Sequence, residues 1–374
     1  MKKLRERINS KLTLLKNFEL RHPIIPIIYG FLGGIFLIFV VFIGSTLINY
    51  VGIDQNIEIA FEDKEFEEEV KQYLHKDSLK KSDLLDVKTL EISNNNKIIN
   101  IEDVKKFPNL TQLSIYNCQV KDISPIEDLK NLQLLDLSYN NIYDISCIVN
   151  CCCLKEVNLT KNHITDILPL CELSGLRELY IASNNIGEVP DEFQKLSKLI
   201  ILDISANGLC DVSGVNRVPS LIELKLSSNK IITTPDFYNL KNLQILDLSG
   251  NALYDYNPTS IMESVIELNL SSNALDNLEF IDKFPSLEKL NVSMNPYNSL
   301  LGIEKCKTLE SLDIRYTNIT DVMMLQSLPN FNTIYVNDNF DHGKLDFMIG
   351  NFRNADKVTK DYLLEKQYDL IEDE

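Results

Sequence analysis

Tryptophan is missing from the chain, and histidine occurs only at His22, His75, His163 and His342. None of the four belongs to an HExxH pair, and no GxSxG, P-loop or dinucleotide fingerprint occurs. Glycine is sparse as well, thirteen in 374 residues, and nowhere gathered into a loop that could cradle a phosphate. The sequence thus presents no catalytic set, no cofactor site and no metal site, and reads as a non-enzyme. Basic charge is the other deficit. Lys and Arg number 37 against 54 Asp and Glu, a formal net charge of −17, which would repel a nucleic-acid backbone. Wholesale disorder is excluded by composition, since 44% of the residues are hydrophobic and can build a core.

Charge is most completely lacking between Arg21 and Asp54, where no Asp, Glu, Lys or Arg occurs. The stretch "PIIPIIYGFLGGIFLIFVVFIGSTLINYVG" exceeds the roughly 20 apolar residues that a helix needs to cross a bilayer. It lacks the polar stripe that an amphipathic helix would keep. Tyr29 and Tyr50 stand near its ends, where amphipathic rings favour the headgroup level. Residues 1–23 carry a balance of +5, leaving −22 for the remainder. The positive-inside rule then keeps 1–23 in the cytoplasm, makes 24–51 a transmembrane helix and puts the rest outside. A cleaved signal peptide is the alternative. The long amino-terminal region and the lack of a clear Ala-x-Ala site favour an uncleaved anchor.

Beyond the apolar stretch the chain repeats. Leu110, Leu132, Leu154, Leu176, Leu199, Leu221, Leu243, Val265, Leu287, Leu309 and Phe331 each open a block, 22 residues apart except for 23 between Leu176 and Leu199. Each block follows L-x-x-L-x-L-x-x-N, as in "LQLLDLSYN", "LKEVNLTKN" and "LIELKLSSN". Alternating apolar residues at positions 4 and 6, such as Leu135 and Leu137, predict a short strand with one buried face. Position 9 holds Asn140, Asn162, Asn184, Asn207, Asn229, Asn251, Asn273, Asn295 and Asn339, with Cys118 and Thr317 as exceptions. An amide there both donates and accepts, so a ladder of stacked Asn residues would satisfy backbone groups left open at each turn. Apolar residues at position 11 (Val120, Ile142, Ile164) and later ones such as Leu129 and Leu173 would close the interior. A single block cannot bury its own apolar face, whereas a stack can.

These blocks resemble leucine-rich repeats, and their period is similar to that of the internalins and of a protein-phosphatase regulatory subunit, over about residues 87–342. The resemblance implies an α/β repeat fold: a right-handed solenoid with a curved parallel sheet on its concave face and short 3-10 or irregular turns on its convex face. It also implies a helical cap before the first repeat. Residues 54–86 supply one, with Phe61, Phe66, Val70 and Leu74 on one helical stripe. Residues 343–374 lose the repeat and read as a closing cap with an acidic tail.

The eight cysteines sort by register. Cys118 replaces a ladder Asn; Cys151 and Cys306 share the buried position of Leu129; Cys147, Cys152, Cys153, Cys171 and Cys210 fall on turns or the convex side. Zinc would need a second ligand pair that the spacing does not supply. Unpaired thiols and a local disulfide both remain open.

A partner would meet the outward strand positions 3, 5 and 7. These carry Tyr116, Asp136, Glu156, Glu178, Tyr180, Asp203, Glu223, Asp247, Glu267, Asp313, Arg315 and Tyr335, with Lys225 and Lys289 relieving the acid. Rows of carboxylates on strands about 4.8 Å apart repel one another, so a cationic partner would relieve that repulsion and be steered in. The favoured reading is a membrane-anchored recognition or adhesion protein, displayed outside the cytoplasm of a bacterial cell and binding a protein or cell-wall ligand. It departs from the usual internalin pattern in having no carboxyl-terminal sorting signal. An intracellular scaffold or phosphatase-regulatory-type subunit is the alternative, which abundant cysteine favours.

Overall fold

A computed structural model describes residues 57–337 apart from Thr234. The basic segment 1–23, the expected transmembrane helix 24–51, the closing segment 343–374 and Asn339 lie outside the described residues. Among the described residues no helix is long and apolar enough to cross a membrane.

The described chain divides into two units, 57–59 with 78–83, and 60–77 with 84–337. In the small unit Glu58 and Lys80 form an antiparallel bridge, and the Ile59 and Lys81 amides donate to Leu79 and Ile57 carbonyls at 3.1 and 3.2 Å. A short helix, Lys81–Leu85, begins there.

The large unit opens with helix α1 (Lys64–Leu74). Asp63 caps its amino terminus by accepting from the Glu65 and Phe66 amides, and His75 ends it in the left-handed region. Its buried stripe is Phe66 and Val70, and it packs against β1 (Thr89–Ser93). The buried Asp103 carboxylate accepts from the Glu62 and Asp63 amides at 2.8 and 2.9 Å and pairs with Lys106, which fixes the chain entering α1.

From β1 the chain makes one strand per block. The others are β2 (Gln112–Tyr116), β3 (Leu134–Asp136), β4 (Glu156–Asn158), β5 (Glu178–Tyr180), β6 (Ile201–Asp203), β7 (Glu223–Lys225), β8 (Ile245–Asp247), β9 (Glu267–Asn269), β10 (Lys289–Asn291), β11 (Ser311–Asp313) and β12 (Thr333–Tyr335). All twelve pair in parallel in sequence order, so each strand touches only the one before and the one after. Register follows the repeat: Leu135 faces Val157, and Leu179 faces Leu202 across the longer block. Positions 4, 6 and 11 form continuous buried columns, as at Leu135, Leu137 and Ile142, all without measurable exposure. Burying each such side chain contributes about 2 kcal/mol, and only the stack supplies the neighbours that bury it.

Behind the strands most blocks turn through a five-residue 3-10 segment, for example Ser124–Asp128, Ser146–Asn150 and Leu168–Glu172. An Asp or Asn two residues ahead starts it. Asp122, Asp144, Asp166, Asp211, Asn277 and Asp321 accept the amide two residues on at 2.8–3.0 Å. Among the described residues no 3-10 segment follows β7 or β8. There Asn216 donates to the Asp236 carbonyl at 2.7 Å, Asp236 accepts from Thr259, and Tyr256 packs against Phe280 and Phe284.

Candidate recognition face

The strand ends fix what each outward side chain can do. Position 9 turns inward. The Nδ2 of Asn140 donates to the Ile115, Leu137 and Ser138 carbonyls at 2.7, 3.0 and 3.2 Å, and its Oδ1 accepts from the Val120 amide at 3.0 Å. The same pattern recurs at Asn162, Asn184, Asn207, Asn229, Asn251, Asn273 and Asn295, each binding the preceding block as well as its own. Six of these eight are buried; Asn251 and Asn273 are half-buried. Cys118 is a weaker substitute: its Sγ reaches the Tyr116 carbonyl at 3.5 Å, and the Ile98 amide that an Asn would receive donates instead to the Asn95 carbonyl at 3.2 Å. Thr317 donates to the Ile314 carbonyl at 2.7 Å and accepts from the Ile319 amide at 3.4 Å, both within its own block.

Position 8, just before the ladder, lies in the left-handed region in every described block from Asn94 to Tyr316, with φ between 52° and 62°. Only Gly250 among them is glycine. Each corner from Tyr139 to Met294 donates its amide to the next block at 2.8–2.9 Å, which offsets the roughly 1–2 kcal/mol that the conformation costs other residues. The sequence carried no signal for this corner, since Tyr, Lys, Ser, Ala and Met all occupy it.

Position 5 does local structural duty. Asp136, Asn158, Asp203, Asp247, Asn269, Asn291 and Asp313 each accept the amide two residues on at 2.8–3.1 Å. One oxygen of each Asp is therefore committed to the backbone. The candidate residues come together on one face, but their charges are unevenly compensated. On β7 to β11 three acids have their own cations: Glu223 pairs with Lys225 at 2.7 Å, Glu267 with Lys289 at 3.3 Å, and Asp313 with Arg315 at 2.7 Å. Asp313 is buried beneath that guanidinium, which also lies over the Tyr335 ring, so it is not available to a partner. Lys225 sits between Asp203 and Asp247 on adjoining strands.

On β3 to β5 the acids stand without a basic partner among the described residues. Glu156 faces Glu178 directly across the pair β4–β5. Burial, then Glu178 and Asp136, push the Glu156 carboxyl above its ordinary range. The Tyr180 hydroxyl donates to Glu178 at 2.9 Å, and burial and that bond push the phenol up. Half-buried Leu134 and Ile201 flank these acids at position 3, and Tyr116 donates to Glu91 at 3.2 Å on the preceding strands. The patch is thus acidic with apolar margins. Two of the pairs that neutralise the other half, Glu223–Lys225 and Asp313–Arg315, were legible as same-face neighbours two residues apart on a strand, yet composition alone reads the whole face as acidic.

The periodic strand, the Asn ladder and the turn set this chain among known folds. A description of leucine-rich repeats in two copies matches residues 86–128 and 130–172, and further leucine-rich-repeat descriptions match 152–209 and 305–322. The matched residues carry leucine-rich repeats. No curated protein sequence matches it. Solved structures share the fold. An internalin from Listeria monocytogenes is similar at 22% identity and TM-score 0.61, covering 74% of this chain and 91% of that one. The functional domain of InlJ, also from Listeria monocytogenes, is similar at 20% identity and TM-score 0.63, over 74% of this chain and 60% of its own. A leucine-rich-repeat protein of Leptospira interrogans gives 20%, TM-score 0.51, and 72% and 83%. Leucine-rich repeats generally bind proteins, and the fold is typically an interaction scaffold without catalysis.

The eight cysteines of this repeat protein are all free. Cys118, Cys151, Cys171 and Cys306 are buried, Cys147 is half-buried, and Cys152, Cys153 and Cys210 are exposed. Cys171, which the register set among the turns, points into the interior from the 3-10 segment Leu168–Glu172. Burial pushes the Cys147 thiol up to about 12 and those of Cys151 and Cys171 up to about 11. Among the described residues no three potential ligands gather to hold a metal ion.

Proposed function

We propose that this protein is a recognition module whose strand face, centred on β3 to β5, binds a cationic segment of a protein or cell-wall ligand. The observation that supports it is the contrast along the face: Asp136, Glu156 and Glu178 lack basic partners among the described residues, whereas Glu223, Glu267 and Asp313 have them. A cationic ligand would supply at β3 to β5 the charge that Lys225, Lys289 and Arg315 supply elsewhere. Such attraction mainly raises the association rate and weakens with salt. A plant peptide hormone receptor, RGFR1 in complex with RGF2, is among the structures of similar fold, at 22% identity and TM-score 0.51. Display outside the cytoplasm by residues 24–51 completes the reading.

An intracellular scaffold, of the phosphatase-regulatory type, is the second reading, and the eight free thiols favour it. Labelling intact cells with a membrane-impermeant thiol reagent separates the two. Modification of Cys152, Cys153 or Cys210 before lysis is expected for outward display; modification only after lysis would sink it. For the face itself, the full chain is titrated with a lysine-rich peptide over a range of salt. E156K with E178K should weaken binding and flatten its salt dependence, and no change in either would remove the acidic-face reading.

A further inference from the structure

The run of cysteines at 151–153 plays no part in the recognition face. Cys151 is buried, with its Sγ donating to the Ile126 carbonyl at 3.4 Å, and Cys147 likewise donates to Ile123 at 3.3 Å. Cys152 and Cys153 differ: both are exposed, and they occupy a turn between the 3-10 segment Ser146–Asn150 and β4. Neither thiol is engaged in a disulfide.

Their surroundings are as unusual as the pair. Residues 145–154 and 167–171 carry no charge, in a chain where 24% of residues do, and are bordered by Lys130 of the preceding block and by Glu172. The two 3-10 segments they contain pack side by side. Val149 and Leu168 are exposed there to 40% and 45%. With a net charge of −17, two copies repel each other over most approaches, and least where the wall is uncharged.

The pair cannot readily close on itself. Consecutive Cα atoms stand about 3.8 Å apart across a trans peptide, whereas disulfides span roughly 4.4–6.8 Å between Cα atoms. The neighbouring thiols Cys151 and Cys171 are buried and Cys147 is half-buried, and burial raises the pKa of all three, which disfavours the thiolate that would attack. A bond from Cys152 or Cys153 therefore points outward. In a two-fold contact residue i meets j and j meets i, so one contact can satisfy both thiols.

We propose that the uncharged wall around Cys152 and Cys153 is a contact surface for a second copy of this chain, locked under oxidation by reciprocal Cys152–Cys153 disulfides. With hydrogen peroxide as oxidant, the Cys152 thiolate attacks one peroxide oxygen, giving a sulfenic acid, and the other oxygen leaves as hydroxide and takes up a proton to become water. The partner's Cys153 thiolate then attacks that sulfur and expels its oxygen as a second water. Each bond consumes one peroxide and two thiols. This proposal is independent of what the strand face binds.

The test treats the purified, reduced full chain with hydrogen peroxide and follows mass on non-reducing gels. A species of twice the mass, reversed by dithiothreitol, is expected for the unaltered chain and for C210S. It should be lost in C152S/C153S, whose exposed substitutions leave the circular dichroism unchanged. C152S or C153S alone should fail to cross-link, and a mixture of the two should regain one bond per dimer. Undiminished dimer in C152S/C153S, its loss in C210S, or oxidation of the pair within a monomer would each overturn the proposal.

Discussion

Two sets of side chains on the same strands behave as opposites: the ladder at position 9 and the acids at position 5. Both are short polar residues bonded to backbone, and they lie four residues apart. The ladder Asn bonds across blocks, as Asn184 does to Leu159 and Ile164 of the preceding one. Asp203 at position 5 bonds only the amide of Ser205, two residues on. A group that ties neighbouring blocks is fixed by the stack, while a local cap can be exchanged. Tyr180 and Lys225 already stand at position 5 without disturbing the register. Function is free to vary there and not at the ladder.

The sharpest break of that comparison is Asn184→Ala against Asp203→Ala. The first strips the partners of Leu159, Ile181 and Ala182 carbonyls and of the Ile164 amide, and should cost at least about 3 kcal/mol. The second loses one local bond and should cost about 1 kcal/mol. Urea midpoints of the two variants give the ranking, and equal midpoints would erase the distinction.

The ladder was legible because period and residue type coincide: Asn, with donor and acceptor on one short amide, fits a site that needs both and reaches the preceding block as well as its own. The parallel sheet was legible for the same reason, since a strict 22-residue ruler with alternating positions 4 and 6 admits one stacking order. The left-handed corner was not, because backbone conformation there is imposed by the bond to the next block and leaves residue choice open. The loss of 3-10 segments after β7 and β8 was hidden too, as it depends on how Asn216, Asp236 and Tyr256 pack across blocks. The uneven face was partly readable, for Lys225 follows Glu223 by two residues. Which oxygen each Asp commits to its backbone was not.

The corner between the two sets supplies the next prediction. Ser228 has φ 56° and donates its amide to the Ser249 carbonyl at 2.8 Å. Ser228→Val puts a β-branched side chain where it fits worst and should destabilise by about 2 kcal/mol, while Ser228→Gly should not. Thermal unfolding of the two variants measures it, and equal loss in both would show that the side chain, rather than the backbone, matters at the corner.

A smaller effect belongs to the Asp residues that start the 3-10 segments. The Ser146 and Ser213 amides hold the Asp144 and Asp211 carboxyls below their ordinary value. A carboxyl whose folded pKa is depressed contributes stability above its unfolded pKa of about 3.9 and loses it as pH falls through the folded value. Asn keeps the turn, as Asn277 does by accepting the Glu279 amide at 3.0 Å. Asp144→Asn with Asp211→Asn should therefore change stability little at neutral pH and make the acid limb below about pH 4 shallower. An acid limb as steep as in the unaltered chain would assign the acid sensitivity elsewhere.

The least change in stability, and the most telling one for the face, is expected from Lys225→Glu. Lys225 lies between Asp203 and Asp247 and pairs with the half-buried Glu223, and that bond is the chief cause of the lysine's raised pKa. Ion pairs this open to water contribute about 0–1 kcal/mol, so unfolding should shift by no more than that. The electrostatic effect is larger, because the reversal removes the cation that separates the acids of β6 to β8 and extends the uncompensated patch of β3 to β5 along the sheet. A lysine-rich peptide should then associate faster at low salt with the variant than with the unaltered chain, and the gain should vanish as salt rises. Titration at two ionic strengths decides it. Faster association that survives high salt would mean that Lys225 had been blocking the face by its bulk, and unaltered association would mean that the ligand does not use this part of the sheet.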